Sequence, residues 1–186
     1  MTTNKIDRSA FALDGYEVRT TADGRTLDVL AVPFDRPTNV GPYVETFKRG
    51  AFAKTITERP EKVKLLALHE ERSLPLGAAK VLREDAEGLF ASMRVSKTRA
   101  GDEALELIAD GALDSVSIGF VPVRSEWSRD RTAVERREVK LLEISLVAYP
   151  AYDDAKVLAL REQEMIPEPV TSTMSLASAR RLAHSL

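Results

Sequence analysis

A mixed, β-rich α+β domain is the fold the sequence predicts, and three observations predict it. About six or seven short segments carry the alternating or continuous apolar pattern of strands, against two or three with helical spacing. Strand-like and helix-like segments follow one another without the regular alternation that builds a doubly wound parallel sheet. The 186 residues are 44% hydrophobic and 30% charged, which suits one domain of ordinary size with a real core.

Residues 1–24 read as a flexible lead-in that closes on the turn signal Ala22-Asp23-Gly24. Thr26 to Phe34 then alternates through Leu27, Val29 and Ala31 as a strand, and Pro33 and Pro37 put its end at a rim. Gly41-Pro42 marks a turn. Phe47, Phe52 and Ile56 recur at helical spacing and predict a helix between Glu45 and Glu58, ended by Pro60. Val63 to His69 is apolar on both faces, the pattern of a central, doubly covered strand. Pro75-Leu76-Gly77 opens a turn-and-strand unit through Val81 and Leu82, and Glu84 to Gly88 is a polar turn. Leu89, Ala91, Met93 and Val95 alternate with Ser92, Arg94 and Ser96 in a half-buried strand. Thr98 or Asp102 caps a helix carrying Ala104, Leu105, Leu107 and Ile108, and Gly111 suits its C′ position. Ser115 to Val123 and Val139 to Tyr149 are strands of a long hairpin with the polar tip Ser128 to Thr132. Pro150 ends the second strand, and Asp153 to Glu164 can form a closing helix. The expected domain is therefore 25–164. Pro167, Pro169 and Thr171-Ser172-Thr173 carry no packing pattern. Ser175 to Leu186 is either a short amphipathic helix or a disordered tail, so 165–186 is read as linker and C-terminal tail.

Composition removes several classes of function. A net charge of −2 argues against a nucleic-acid partner, which leaves a basic footprint. The absence of cysteine excludes a disulfide framework, a thiolate zinc site and a cysteine nucleophile. No apolar run approaches the roughly 18 residues of a membrane helix, and Met1 to Ser9 has no apolar core of a signal peptide. The expectation is a cytoplasmic protein with no membrane and no nucleic-acid partner.

Three residues carry candidate chemistry. His69 closes an apolar run and is accompanied only by His184, two residues from the end. Imidazole is the side chain best suited to proton transfer near neutral pH. Ser117 lies in a segment whose even positions, Val116, Ile118 and Phe120, are bulky and whose odd positions, Ser115, Ser117 and Gly119, are small. Period two puts these sets on opposite faces, and the small face leaves room for a substrate at the backbone. The segment is no nucleophile elbow, because glycines do not flank the serine at two residues on either side. Glu143 interrupts the apolar run Leu141 to Val147; if buried it needs a partner, and an imidazole N–H would serve. Each has a plainer reading: a serine on the solvent side of a strand, a structural histidine, and a glutamate that is exposed or paired with Arg94 or Arg124. Pattern alone leaves these open. A metal site would need ligands beyond one histidine, with carboxylates making up the rest, and no cofactor is expected.

Taken in order, five segments resemble the prohead maturation proteases of tailed bacteriophages, serine peptidases related in fold to the herpesvirus assembly protease. They are Glu45 to Phe52, Leu65 to His69 with Leu74-Pro75-Leu76-Gly77, Glu87-Gly88-Leu89 with the strand to Val95, Asp110 to Phe120, and Leu142 to Ala151. The resemblance spans about Leu27 to Val157. It implies a herpesvirus-protease-like β-barrel flanked by helices, with Ser117 as nucleophile and His69 as general base. Ser115 ranks second to Ser117, and Glu143 is the choice for the third member. The implied activity is a serine endopeptidase acting inside the assembling prohead in the host cytoplasm. Its substrates would be the scaffold protein, the major capsid protein and the chain itself; the portal and a second copy of the chain are further partners the family allows. Residues after about 165 would direct packaging into the prohead or be removed by self-cleavage. Two competing expectations are an inactive head or scaffold-interaction protein of the same fold, in which the three side chains do not converge, and an esterase with a small acyl pocket.

Overall fold

The computed structural model describes residues 7–11, 19–20 and 24–148. The closing helix expected over Asp153 to Glu164, the strand end at Tyr149-Pro150, the 165–186 tail and His184 lie outside the described residues.

In chain order the elements are β1 (Asp7–Phe11), β2 (Arg19–Thr20), β3 (Thr26–Pro33), β4 (Thr38–Val40), β5 (Tyr43–Phe47), α1 (Ala53–Glu58), a single 3-10 turn (Pro60–Lys62), β6 (Lys64–Ala67), β7 (Gly77–Glu84), β8 (Gly88–Val95), α2 (Arg99–Ala109), β9 (Ser115–Trp127) and β10 (Ala133–Val147). The strands join one sheet in the order β1-β9-β10-β6-β7-β8-β3-β2, with β5 added to β10 and β4 to β5. Pairing is antiparallel except where β10 meets β5 and β6. The sheet curls into a half-barrel that brings β3 back against β9. Register shifts at Leu30/Val32, Ala79/Val81 and along β10 supply the bends a curled sheet needs.

The concave face is the core. Val116, Ile118 and Phe120 of β9 point into it with Leu141, Ile144 and Leu146 of β10 and Leu27, Leu89 and Met93 opposite, all essentially without solvent exposure. The bulky face predicted for the Ser117 segment is therefore the core face. Among the two expected caps of α2, Thr98 holds the position: its Oγ1 accepts from Gly101 N–H at 3.1 Å. Asp102 instead accepts from Arg25 at 2.7 Å. Gly111 takes φ of 73° just past the helix, as its C′ role requires. Among the described residues no helix is long and apolar enough to cross a membrane.

Two stretches differ from expectation. The helix predicted between Glu45 and Glu58 begins as a strand to Phe47, passes through a turn over residues 49–52, and forms helix only over Ala53–Glu58. Phe47 and Phe52 do meet, with ring centroids 5.5 Å apart, and Phe47 also packs edge-on against Phe120 at 5.3 Å. Their spacing served an aromatic cluster built across a turn, where Gly50 adopts φ of 91°, rather than one helix face. Parallel pairing of Val44 to Phe47 with Ala133 to Arg136 overrode the local pattern. Within the lead-in of residues 1–24, β1 pairs along β9 from Phe11↔Val116 to Asp7↔Phe120, and β2 pairs with β3. The open edge of β9 supplies unpaired backbone groups that can order a segment whose own sequence gives no strand signal.

The β9–β10 hairpin tip is held together by hydrogen bonds to one carboxylate. The Ser128 hydroxyl, and then the Thr132 N–H and hydroxyl, donate to Asp130 Oδ1. These donors pull the Asp130 carboxyl from its ordinary 3.8 down to about 2. A carboxyl with a depressed folded-state pKa stabilises the fold above its unfolded value, and that contribution is lost as pH falls through about 2. Melting curves between pH 4 and pH 2 should fall less steeply for Asp130→Asn than for the wild-type chain; parallel curves would remove Asp130 from the acid response.

Candidate active site

The site is assembled on the face of β9 and β10 opposite the core. Across these strands Ser145 stands opposite Ser117 and Glu143 opposite Gly119. Strict alternation would put Glu143 on the same side as Leu141, which is in the core. A register shift between Leu141 and Glu143 breaks the alternation: Leu141 faces the core opposite Phe120, whereas Glu143 faces the site. A bulge re-aims a side chain in this way at the cost of one unpaired residue.

His69 arrives from β6 by a turn. The strand ends at Ala67, so His69 is not the last strand residue its pattern suggested; Leu68 and His69 both adopt left-handed φ, of 51° and 58°. That conformation is unfavourable for residues with a Cβ, by about 1–2 kcal/mol each. It is held by Leu68 N–H to the Leu146 carbonyl at 2.9 Å, Glu70 N–H to the Ala67 carbonyl at 2.9 Å and His69 N–H to Ser145 Oγ at 3.1 Å. The turn swings the imidazole back over β10 toward β9. Its polypeptide cost is met only because the surrounding sheet fixes both neighbours.

There His69 bridges the other two candidates. Nδ1 lies 2.6 Å from Glu143 Oε1, and Nε2 lies 2.7 Å from Ser117 Oγ. A carboxylate only accepts, so Nδ1 carries the proton and Nε2 is left to accept from the Ser117 hydroxyl. Glu143 is 4% exposed, and its partners are His69 and the Ser145 hydroxyl, which donates to Oε2 at 2.7 Å. The alternatives of an exposed glutamate or an ion pair with Arg94 or Arg124 do not hold. Ser115 stays apart from the imidazole; its hydroxyl donates to Asp114 at 2.8 Å.

The small face of β9 is not open. Ser117 has no solvent exposure and Ser115 only 4%; His69 and Ser145 lie against Ser117, and Glu143 lies against Gly119. Gly119 shows how tightly. A Cβ there would sit 2.9 Å from Glu143 Cδ and 3.0 Å from Cγ, closer than such contacts are found. Its missing side chain makes room for a carboxylate of this chain. Two participants were not anticipated: this use of Gly119, and Ser145. The available signal was Glu143-Ile144-Ser145, which puts a second polar side chain two residues on, on the same strand face.

A family model described as Caudovirus prohead serine protease matches residues 14–168. Among solved structures, the capsid assembly protease gp21 of bacteriophage T4 superposes with a TM-score of 0.57 at 11% sequence identity, covering 78% of this chain and 98% of that one. At that identity the likeness is one of fold. No curated protein matches the chain.

Proposed function

The chain belongs to the caudovirus prohead serine protease family, and from that premise we propose that Ser117, His69 and Glu143 form its catalytic triad. It is a phage protease with a strand-rich α+β fold. The observation that carries the assignment of roles is the imidazole held between Ser117 Oγ at 2.7 Å and Glu143 Oε1 at 2.6 Å. An inactive head protein of the same fold would have no need to keep three such groups in hydrogen-bond reach across 48 and 74 residues of sequence.

In the proposed reaction Ser117 Oγ attacks a peptide carbonyl while its proton passes to His69 Nε2. Glu143 accepts from Nδ1–H, fixes the tautomer and stabilises the imidazolium that results. Collapse of the tetrahedral intermediate breaks the C–N bond; the amine leaves with the proton from Nε2, and the acyl group stays on Ser117. Water, deprotonated by the same nitrogen, then releases the new carboxyl terminus and restores the serine.

The proposed substrates are the scaffold protein, the major capsid protein and the chain itself, cleaved inside the prohead; the portal and a second copy of the chain are further proposed contacts. Co-expression with the neighbouring capsid and scaffold genes, followed by mapping of new N-termini, tests this. Intact capsid and scaffold proteins alongside folded protease would reject these substrates. Intact mass measurement of the active chain and of Ser117→Ala tests removal of the tail after about residue 165: equal masses reject it.

Gly119→Ala tests the part played by Glu143. The added Cβ forces the Glu143 carboxylate off its position and away from its bonds to His69 and Ser145. The expected result is a lowered melting midpoint in a chain still folded at about 25 °C by circular dichroism, with turnover reduced about 100-fold, the scale of an ångström misplacement in an active site. Unchanged turnover would mean that Glu143 does not orient His69.

A further inference from the structure

We infer that Ser145 is a positioning residue of this protease, acting through both His69 and Glu143. The inference rests on the triad reading above and adds to it a residue that never touches substrate.

Ser145 has no solvent exposure and lies directly across from Ser117. One hydroxyl can accept and donate at once, and this one does both inside the site. Its oxygen accepts from the His69 backbone N–H at 3.1 Å, and its proton goes to Glu143 Oε2 at 2.7 Å. Each bond fixes something the triad leaves loose. The terminal torsion of a glutamate is broad, so a carboxylate held by one oxygen can swivel. Here Oε1 is taken by the imidazole and Oε2 by Ser145, which sets the plane of the carboxylate. The second bond anchors the left-handed turn at His69, whose backbone N–H has left the strand ladder. Ser145 thus ties the backbone of the base to the group that orients its ring, closing a loop of hydrogen bonds from Ser145 to Glu143 to His69 and back. Buried polar networks of this kind couple their members, and double-mutant cycles measure the coupling.

Labelling of the full chain by a fluorophosphonate reports Ser117 reactivity without a known substrate. Ser145→Ala should slow the maximal labelling rate about 10- to 100-fold while the concentration for half-maximal rate changes less than about threefold. Ser145→Cys keeps the shape of the side chain and replaces a strong donor by a weak one; it should be slow as well, with a near wild-type melting midpoint. In a His69→Ala background neither change should lower the residual rate further, because the effect runs through His69. Wild-type labelling by folded Ser145→Ala or Ser145→Cys would overturn the inference. So would an equal loss in the presence and absence of His69, which marks a purely structural role. Wild-type labelling by His69→Ala would instead reject the triad itself, so the two failures are distinct.

Discussion

Ser117→Ala is expected to abolish cleavage and leave the fold intact. Removing one oxygen deletes the only atom that can carry the acyl group, so the loss should be about four to six orders of magnitude in turnover, the range for knocking out a triad nucleophile. The cost to folding is small, since Ser117 contributes its bulk to the polar side of β9 while Val116, Ile118 and Phe120 hold the core. His69→Ala should fall in the same range, and the double variant should be no worse than either single one, because groups that act as a unit are not additive. Band patterns of co-expressed capsid and scaffold proteins, with circular dichroism of the purified variants, provide the check. Processing by folded Ser117→Ala at the wild-type rate would sink the assignment of the nucleophile.

Arg136→Met is expected to have the largest effect on stability. Arg136 and Glu45 are each 3% exposed, and Arg136 Nε donates to Glu45 Oε1 at 2.5 Å. The same guanidinium donates to Ser125 Oγ at 3.0 Å and lies over the Phe120 and Trp127 rings, at 5.5 and 5.9 Å from their centroids. The pair fastens β5 to β10, the parallel pairing that displaced the expected helix. Truncating one partner of a buried ion pair costs about 3–5 kcal/mol. For a domain of this size that lowers the melting midpoint by roughly 10–20 °C. Replacing both residues, as Glu45→Leu with Arg136→Met, takes both buried charges away together and should recover most of the midpoint. If the double variant is as unstable as the single one, the loss comes from packing around Phe120 and Trp127 rather than from the ion pair.

Much of the molecule was legible along the chain. Strict alternation fixed which side of β9 is core, since a period of two leaves Val116, Ile118 and Phe120 no other face. Thr98 and Gly111 bounded α2 because capping is local chemistry. Ser117, His69 and Glu143 stood out by residue type and by a family resemblance, while pattern alone left their roles open; His69 lies within hydrogen-bond reach of both other side chains. What tertiary structure alone decided has a common physical reason: it depends on partners far along the chain. The strand at β5 exists because β10 pairs with it, against a helical pattern. The left-handed turn at Leu68 and His69 is disfavoured locally and persists through bonds to Leu146 and Ser145. Glu143 faces the imidazole only because a register shift after Leu141 reverses the alternation its own strand predicts. Ser145 and Gly119 gain their places from that same shift. A sequence specifies which groups are available and which face is apolar; the register between strands, settled by packing, decides which polar groups share a site.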